Sequence, residues 1–295
     1  MSSAKAATPG ATAVAGIAKP SVSAGSLYLV STPIGNLGDM SYRAVEVLTS
    51  AALVVAEDTR HSRRLLDHYR ITTPLSSYHE HNEAKETPRL VTRLRAGDSI
   101  ALISDAGTPL ISDPGSRLVS AALAAGVPVV PIPGPSSVMA ALVASGMPLD
   151  RFAFYGFLPR KGRERTELLE EIVGSRSTVV LFEAPNRVGA TLEALVQAGA
   201  GERAAAVARE LTKQFEEFKR GTVGELATLY SKADPKGEVV LVVSGAEAPA
   251  VSEAELNDAA RKLKASGKRP REIMNHLVGA LGAPRNLAYR IAHEG

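Results

Sequence analysis

From Ser26 to Gly146 the chain repeats one pattern: a short aliphatic run, a break rich in Gly, Pro, Ser or Asp, then a stretch with apolar residues at helical spacing. The runs "SLYLVST" (26–32), "LVVAED" (53–58), "PLSSYH" (74–79), "SIALISD" (99–105) and "VPVVPIP" (127–133) read as strands. Segments 41–51, 59–69, 84–96, 114–126 and 135–146 read as helices, with Ser41 as an N-cap and Asp113-Pro114 as the cap and first residue of the fourth. Strands joined through helices run parallel, and largely apolar strands are buried on both faces. The expected class is therefore α/β, a parallel sheet with helices on both sides.

The texture changes after "GMPLD" (146–150). Strands are expected at 177–185, 203–211, 215–222 and 237–245, with one more in the aromatic run "RFAFYGFLP" (151–159). The polar "EFKRG" suits an edge strand or hairpin, so this second sheet should be mixed. Helices fit 164–173, 186–198 and 222–231, and the "GAG" at 199–201 follows a helix, so Gly199 is a helix C′ residue and no phosphate loop. Three short helical patterns fill 251–295, compatible with a helix-turn-helix, a dimer clamp or a lid. The organisation expected is a disordered tail (1–25), a parallel α/β domain (26–148), a mixed α/β domain (149–248) and a helical appendage (249–295).

With 295 residues and no cysteine, the chain has no disulfide, no thiol nucleophile and no thiolate metal site. That suits a reducing cytosol, and a cytoplasmic location is expected. No run is apolar enough to span a membrane. The net charge is only +3, yet basic residues cluster in "RHSRRLLDHYR" (60–70), "PRKGRER" (159–165), "FKRG" (218–221) and "RKLKASGKRPRE" (261–272). One such cluster is a solvated helix face; four in a nearly neutral chain favour a polyanion partner.

Chemistry concentrates where strands end. "STPIGNLGDMS" (31–41) offers Gly35 and Gly38 after the first strand, without the dinucleotide fingerprint. "ISDAGTPLISDPG" (103–115) repeats Ile-Ser-Asp-x-Gly. Asp105 can accept hydrogen bonds and Gly107 permits a close backbone approach, whereas the second copy reads as turn and cap chemistry. Ser136 and Ser137 in "IPGPSSVMA" (132–140) lie at a helix start, where one of them is needed as a cap. "AEDTRHSRRLL" (56–66) places arginines at a helix N-terminus, against the dipole, which hints at a phosphate contact. In "SYHEHNE" (77–83), His79 and His81 would share a strand face, as a metal site needs, but H-E-x-x-H is absent, so a surface loop and no metal is the expectation. "LFEAPNRV" (181–188) ends a strand of the second region with Glu183 and Arg187.

The ordered set "TPIGNLGD", "AEDTRHSRRLL", "ISDAGTPLISDPG", "PIPGPSS", "FYGFLPRKGRER", "LFEAPNR", "ARELTKQFEEFKRG" and "GEVVLVV" resembles the tetrapyrrole methylases across about residues 26–245. Within that superfamily it looks like the branch that 2′-O-methylates a cytidine of small-subunit ribosomal RNA. The pigment-precursor branch carries G-x-G-x-G in its first loop and G-G-D-P in its fourth, whereas this chain has "TPIGNLGD" and "DAGTP". The resemblance implies two α/β domains with S-adenosyl-L-methionine in the cleft between them. It implies cofactor contacts from Pro33, Gly35, Asp105, Ala106, Gly107, Leu110, Ile111, Ser136 and Ser137, closed over by Glu183, Ala184, Arg209 and Glu210. It gives no secure general base, and Glu183, Asp105 and Glu80 are the candidates. Arg60, His61, Arg63, Arg64, Arg160, Lys161, Arg163 and Arg165 are the expected contacts to RNA in the small ribosomal subunit, and a homodimer is expected. Two rivals stand beside this reading: a small-molecule methylase acting on a tetrapyrrole, and a non-enzymatic nucleic-acid-binding protein working through its C-terminal helices.

Overall fold

The computed structural model describes residues 22–232, 234–247 and 252–294, so most of the expected tail lies outside the described residues. The first sheet is built from β1 (Leu27–Val30), β2 (Leu53–Ala56), β3 (Leu75–Ser77), β4 (Ile100–Ile103) and β5 (Val129–Ile132), in the order β3-β2-β4-β1-β5. Every pairing is parallel, as the alternation demands.

Side chains alternate across the pleat. Ala101 and Ile103 of β4 face one core, together with residues of α1 (Tyr42–Ser50) and α2 (Thr59–His68). Ile100 and Leu102 face the other core, under α3 (Glu83–Arg95) and α4 (Ser116–Ala124). Ser41 caps α1 by accepting from the Ala44 amide at 3.1 Å. Asp113, however, does not cap α4. The residue before that helix is Gly115, at φ +132° and with no side-chain cap bond. The chain reaches the helix through left-handed turns at Leu110 (φ 73°) and Ser112 (φ 66°), which carry Asp113 away from the helix axis.

The second sheet has the order β6-β7-β10-β8-β9, from β6 (Phe152–Phe157), β7 (Thr178–Glu183), β8 (Ala204–Arg209), β9 (Glu217–Thr222) and β10 (Val239–Val243). β6 and β7 are parallel and the remaining pairs antiparallel, so the sheet is mixed and the polar β9 is an edge. One face is covered by α6 (Arg163–Gly174), α7 (Val188–Leu195) and α8 (Val223–Tyr230). The other face is covered from the first lobe. Val138, Ala141 and Leu142 of α5 (Ser137–Ser145), with Ile34, pack on Val180, Ala206, Val240 and Val242. Each such fully buried valine or leucine contributes about 1.5–3 kcal/mol. The two sheets are thus joined by an apolar seam, and the carboxyl edge of the first opens beside it.

Arg220 reinforces the seam by donating to the carbonyls of Ala144 and Ser145 at the end of α5. This part of the "FKRG" cluster is a helix C-terminal tie. Helices α9 (Glu253–Ala265), α10 (Pro270–Gly279) and α11 (Arg285–Glu294) share a small core of their own around Leu256, Ile273, Leu277 and Ile291. No helix among the described residues is long and apolar enough to cross a membrane.

Candidate functional site

A cavity of about 400 Å³ lies where the two sheets meet. The first lobe contributes Ile34, the turn Asp105–Thr108, the turn Ile111–Asp113, and Ser136 to Val138. The second contributes Phe157, Phe182 to Pro185, and Gly237 to Val240. Its size is that of a small-molecule site, and its walls combine apolar side chains with a few polar groups.

The loop after β4 is pinned on both sides. Thr32 and Gly107 exchange two backbone hydrogen bonds, at 2.9 and 3.0 Å, which ties the loop to the end of β1. Gly107 sits at φ +80°, and a Cβ there would come 3.3 Å from Ile34, so only glycine fits without strain. On the far side, the bulge in β6 brings Gly156 against Ser112; a Cβ on Gly156 would lie 3.3 Å from the Ser112 hydroxyl. Left-handed backbone at non-glycine residues is costly and persists where surroundings over-determine it.

This strained loop presents two carboxylates to the cavity. Asp105 accepts from the Asp58 amide at 3.1 Å. Asp113 is partly buried, and loss of solvent pushes its carboxyl up to about 6, with the charges of Glu57 and Asp105 adding and the Ser104 hydroxyl opposing. Burial, then Asp105, also pushes the neighbouring Glu57 upward. Like charges in a poorly solvated space cannot all ionise easily, and Asp113 takes most of that strain. Asp113 was read from the sequence as a cap. The signal that marks it is the repeated Ile-Ser-Asp-x-Gly itself, whose second aspartate lands on the same cavity as the first.

Of the residues expected around a cofactor, Asp105, Ala106, Gly107, Ile111, Ser136, Ser137, Glu183 and Ala184 line the cavity. Ser136 also caps α5 through the Met139 amide, which leaves Ser137 uncommitted to capping. Pro33, Gly35, Leu110, Arg209 and Glu210 are not part of the wall. Gly35 serves a close approach between lobes instead: a Cβ there would clash with the Lys213 side chain and come 3.0 Å from the Leu211 carbonyl. Leu110 turns into the first core. Arg209 pairs with Glu217 at 3.4 Å, and Glu210 with Lys213 at 2.8 Å, both behind the wall. The strand start Gly237–Val240 fills the place expected of them, and nothing in its local sequence marks it.

The candidate bases separate clearly. Glu80 is exposed and lies outside the cavity. The Glu183 side chain is fully buried; it accepts from Thr191 at 2.6 Å and the Ala184 amide at 2.9 Å, and pairs with Arg187 at 3.2 Å. A carboxylate so committed orients its partners. Asp105 and Asp113 remain as the carboxyls lining the cavity from the first lobe, while Glu238 on the second is paired with Lys213 at 3.2 Å.

The basic residues also divide. Arg60, His61, Arg63 and Arg64 are exposed on α2, where Arg60 pairs with the capping Asp58 at 2.9 Å and holds that carboxyl well below the usual range. Lys161 is exposed and Arg163 pairs with Glu167 at 2.6 Å. Arg160 and Arg165 instead line a second cavity, next to the first. Among the described residues no group of three or more His, Cys, Asp or Glu could hold a metal ion.

The family model described as Tetrapyrrole (Corrin/Porphyrin) Methylases matches residues 26–227, which takes in the first sheet, the seam and most of the second sheet. The chain belongs to the tetrapyrrole methylase family. Two similar members are each called ribosomal RNA small subunit methyltransferase I. The one from Synechocystis sp. is 47% identical over 92% of this chain and 98% of that protein. The one from Mesorhizobium japonicum is 52% identical over 79% of each chain. Among solved structures, the uroporphyrin-III C-methyltransferase of Thermus thermophilus complexed with S-adenosylhomocysteine superposes with a TM-score of 0.54. It is 20% identical and covers 74% of this chain and 97% of that one, a likeness that speaks for the methylase fold alone. In this methylase, then, the family fold carries a carboxylate-lined cavity beside an arginine-lined one.

Proposed function

We propose that this methyltransferase uses S-adenosyl-L-methionine to methylate the 2′-hydroxyl of a cytidine ribose in small-subunit ribosomal RNA. The names of its near full-length relatives support the RNA acceptor. One structural observation carries the reading furthest: a cavity of donor size has carboxyls on its first-lobe wall and opens beside a cavity walled by three arginines.

The residues present fit the donor. Its sulfonium and amino group are cationic and suit Asp105 and Asp113. Ile34, Val138, Phe182 and Val240 offer apolar faces to a purine, and the turn at Gly107 lets the backbone approach. When bound, the donor supplies a methyl already activated for displacement. Much of the acceleration then comes from holding the hydroxyl in line with it.

A ribose hydroxyl is a weak nucleophile at neutral pH, so removal of its proton is the task left to the chain. Asp113 suits it: it lines the cavity, and a carboxyl pushed up to about 6 is ionised at neutral pH while remaining a stronger base than an ordinary aspartate. The proton passes to a carboxylate oxygen of Asp113, and from there to solvent after the product leaves. Loss of water keeps that acceptor basic, with the charges of Glu57 and Asp105 adding and the Ser104 hydroxyl opposing.

The test is transfer of labelled methyl from S-adenosylmethionine to small ribosomal subunits that lack the modification, followed by mapping of the label. The expected result is label on one cytidine ribose. Label on a tetrapyrrole offered in parallel, with none on RNA, contradicts the reading.

A further inference from the structure

We infer that the cavity walled by Arg160, Arg165 and Arg187 is the seat of a backbone phosphate of the acceptor, the one adjoining the ribose that receives the methyl. This rests on the RNA reading above and adds a site to it. The cavity is about 670 Å³, lies between the loop after β6 and the start of α7, and shares Phe157 and Ala184 with the donor cavity. A group bound in one therefore lies directly beside a group bound in the other.

Its charge is unbalanced. Three guanidiniums line it and no carboxylate does. Glu183, behind the wall, is the acid paired with Arg187. Burying a carboxylate completely is expensive unless it is well bonded, and here Thr191, the Ala184 amide and Arg187 all serve it. The Arg187 guanidinium is further fixed by donation to the Leu158 carbonyl at 2.7 Å, and Arg165 by donation to the Pro159 carbonyl at 3.0 Å. Two guanidiniums are thus set in place before any ligand arrives. Arg160 makes no hydrogen bond or ion pair with any described residue and hangs over the same space. Rigid forks with one free cation are the arrangement that recognises a phosphate.

The chemistry of ribose explains the position. The 2′-hydroxyl and the 3′-phosphate stand on adjacent carbons. A hydroxyl that reaches the donor cavity necessarily brings a phosphodiester to its rim. Phe157, 54% exposed between the two cavities, presents a ring face on which a splayed base can stack. The exposed arginines of α2 serve the approach of the polyanion from a distance; the fixed ones set its register.

Methyl transfer to unmodified small subunits is measured for the full-length protein over a range of salt concentrations, with binding of S-adenosylhomocysteine followed separately. Arg160→Ala removes the free cation from an exposed residue, so folding is undisturbed. Arg187→Lys keeps the charge beside Glu183 and removes the fork. Arg43→Ala, on exposed α1, is the charge-matched control. The expected result is a KM for subunits raised by about 10- to 100-fold in the first two, the loss of a charged hydrogen bond, with donor-product binding unchanged. Arg160→Ala should also flatten the slope of log affinity against log salt by about one, while Arg43→Ala matches the unmodified chain. The seat is overturned if Arg160→Ala and Arg187→Lys match the control in KM and salt slope while the unmodified chain methylates subunits normally. No transfer to RNA by the unmodified chain is a different failure: it removes the RNA reading, and the seat with it.

Discussion

The two neighbouring cavities are walled by opposite chemistry. On the first lobe, a loop forced through left-handed turns at Leu110 and Ser112 pushes Asp105 and Asp113 together, next to Glu57. On the second, a buried carboxylate and two backbone carbonyls hold Arg187 and Arg165 in fixed poses. The acidic wall stores strain: the Asp113 and Glu57 carboxyls are raised because they have lost water, with like charges nearby adding to it. The basic wall is relaxed, since each fixed guanidinium is bonded. A strained wall suits proton transfer and a cationic donor; a pre-set wall suits recognition of an anion.

The largest expected effect breaks the acidic side. Asp113→Asn should lower kcat by about 10²–10⁴-fold, the usual value of a positioned base, and should weaken donor binding far less, because Asp105 remains in the cavity wall. The limb of the pH–rate profile near 6 should vanish with it. A kcat within a few-fold of the unmodified chain would return the role to Asp105.

Next comes a residue that separates structural arginines from binding ones. Arg220→Met removes the tie to the end of α5 and should cost about 1.5–3 kcal/mol in unfolding experiments, the range for hydrogen bonds from a charged donor. Subunit affinity at equal folded fraction should stay the same. A weakened affinity without loss of stability would place Arg220 on the basic wall.

A smaller effect follows from linkage. The folded chain binds the Asp113 proton more tightly than the unfolded chain does. That contribution to stability is fully present below about pH 4 and is lost as pH rises through about 6. Asp113→Asn should therefore melt higher than the unmodified chain above pH 7, with the gap closing toward pH 4. A variant both slower and more stable is the signature of a strained functional group. The smallest effect is expected at Arg60, 90% exposed: Arg60→Ala should leave the melting temperature unchanged and reduce only the salt-dependent attraction to RNA.

How much of this was legible in the sequence depends on distance along the chain. The parallel sheet was, because each strand–helix unit is local and its periodicity appears in adjacent residues. So are the Ser41 cap and the need for a cap at Ser136 or Ser137, for the same reason, and the structure gives that second cap to Ser136. Capping logic assigns Asp113 to α4, but positive φ angles at Leu110, Ser112 and Gly115 start the helix later, in a loop that packs against Gly156 from far along the chain. Gly35 looked like part of a ligand loop, whereas its lack of a Cβ admits Lys213 and Leu211 from far along the chain. The wall at Gly237–Val240 had no local mark at all. The resemblance points to Arg209 and Glu210 as cofactor contacts, but their side chains are occupied by Glu217 and Lys213.

Ala106 gives the most direct test of the cavity between the lobes, because it is exposed and lines that cavity without packing in a core. Calorimetric titration of S-adenosylhomocysteine into the full-length chain, beside an Ala106→Trp variant of equal melting temperature, should show one site in the first and no heat in the second. No heat in the unmodified chain, or equal heat in both, would contradict a methyl-donor site at the seam.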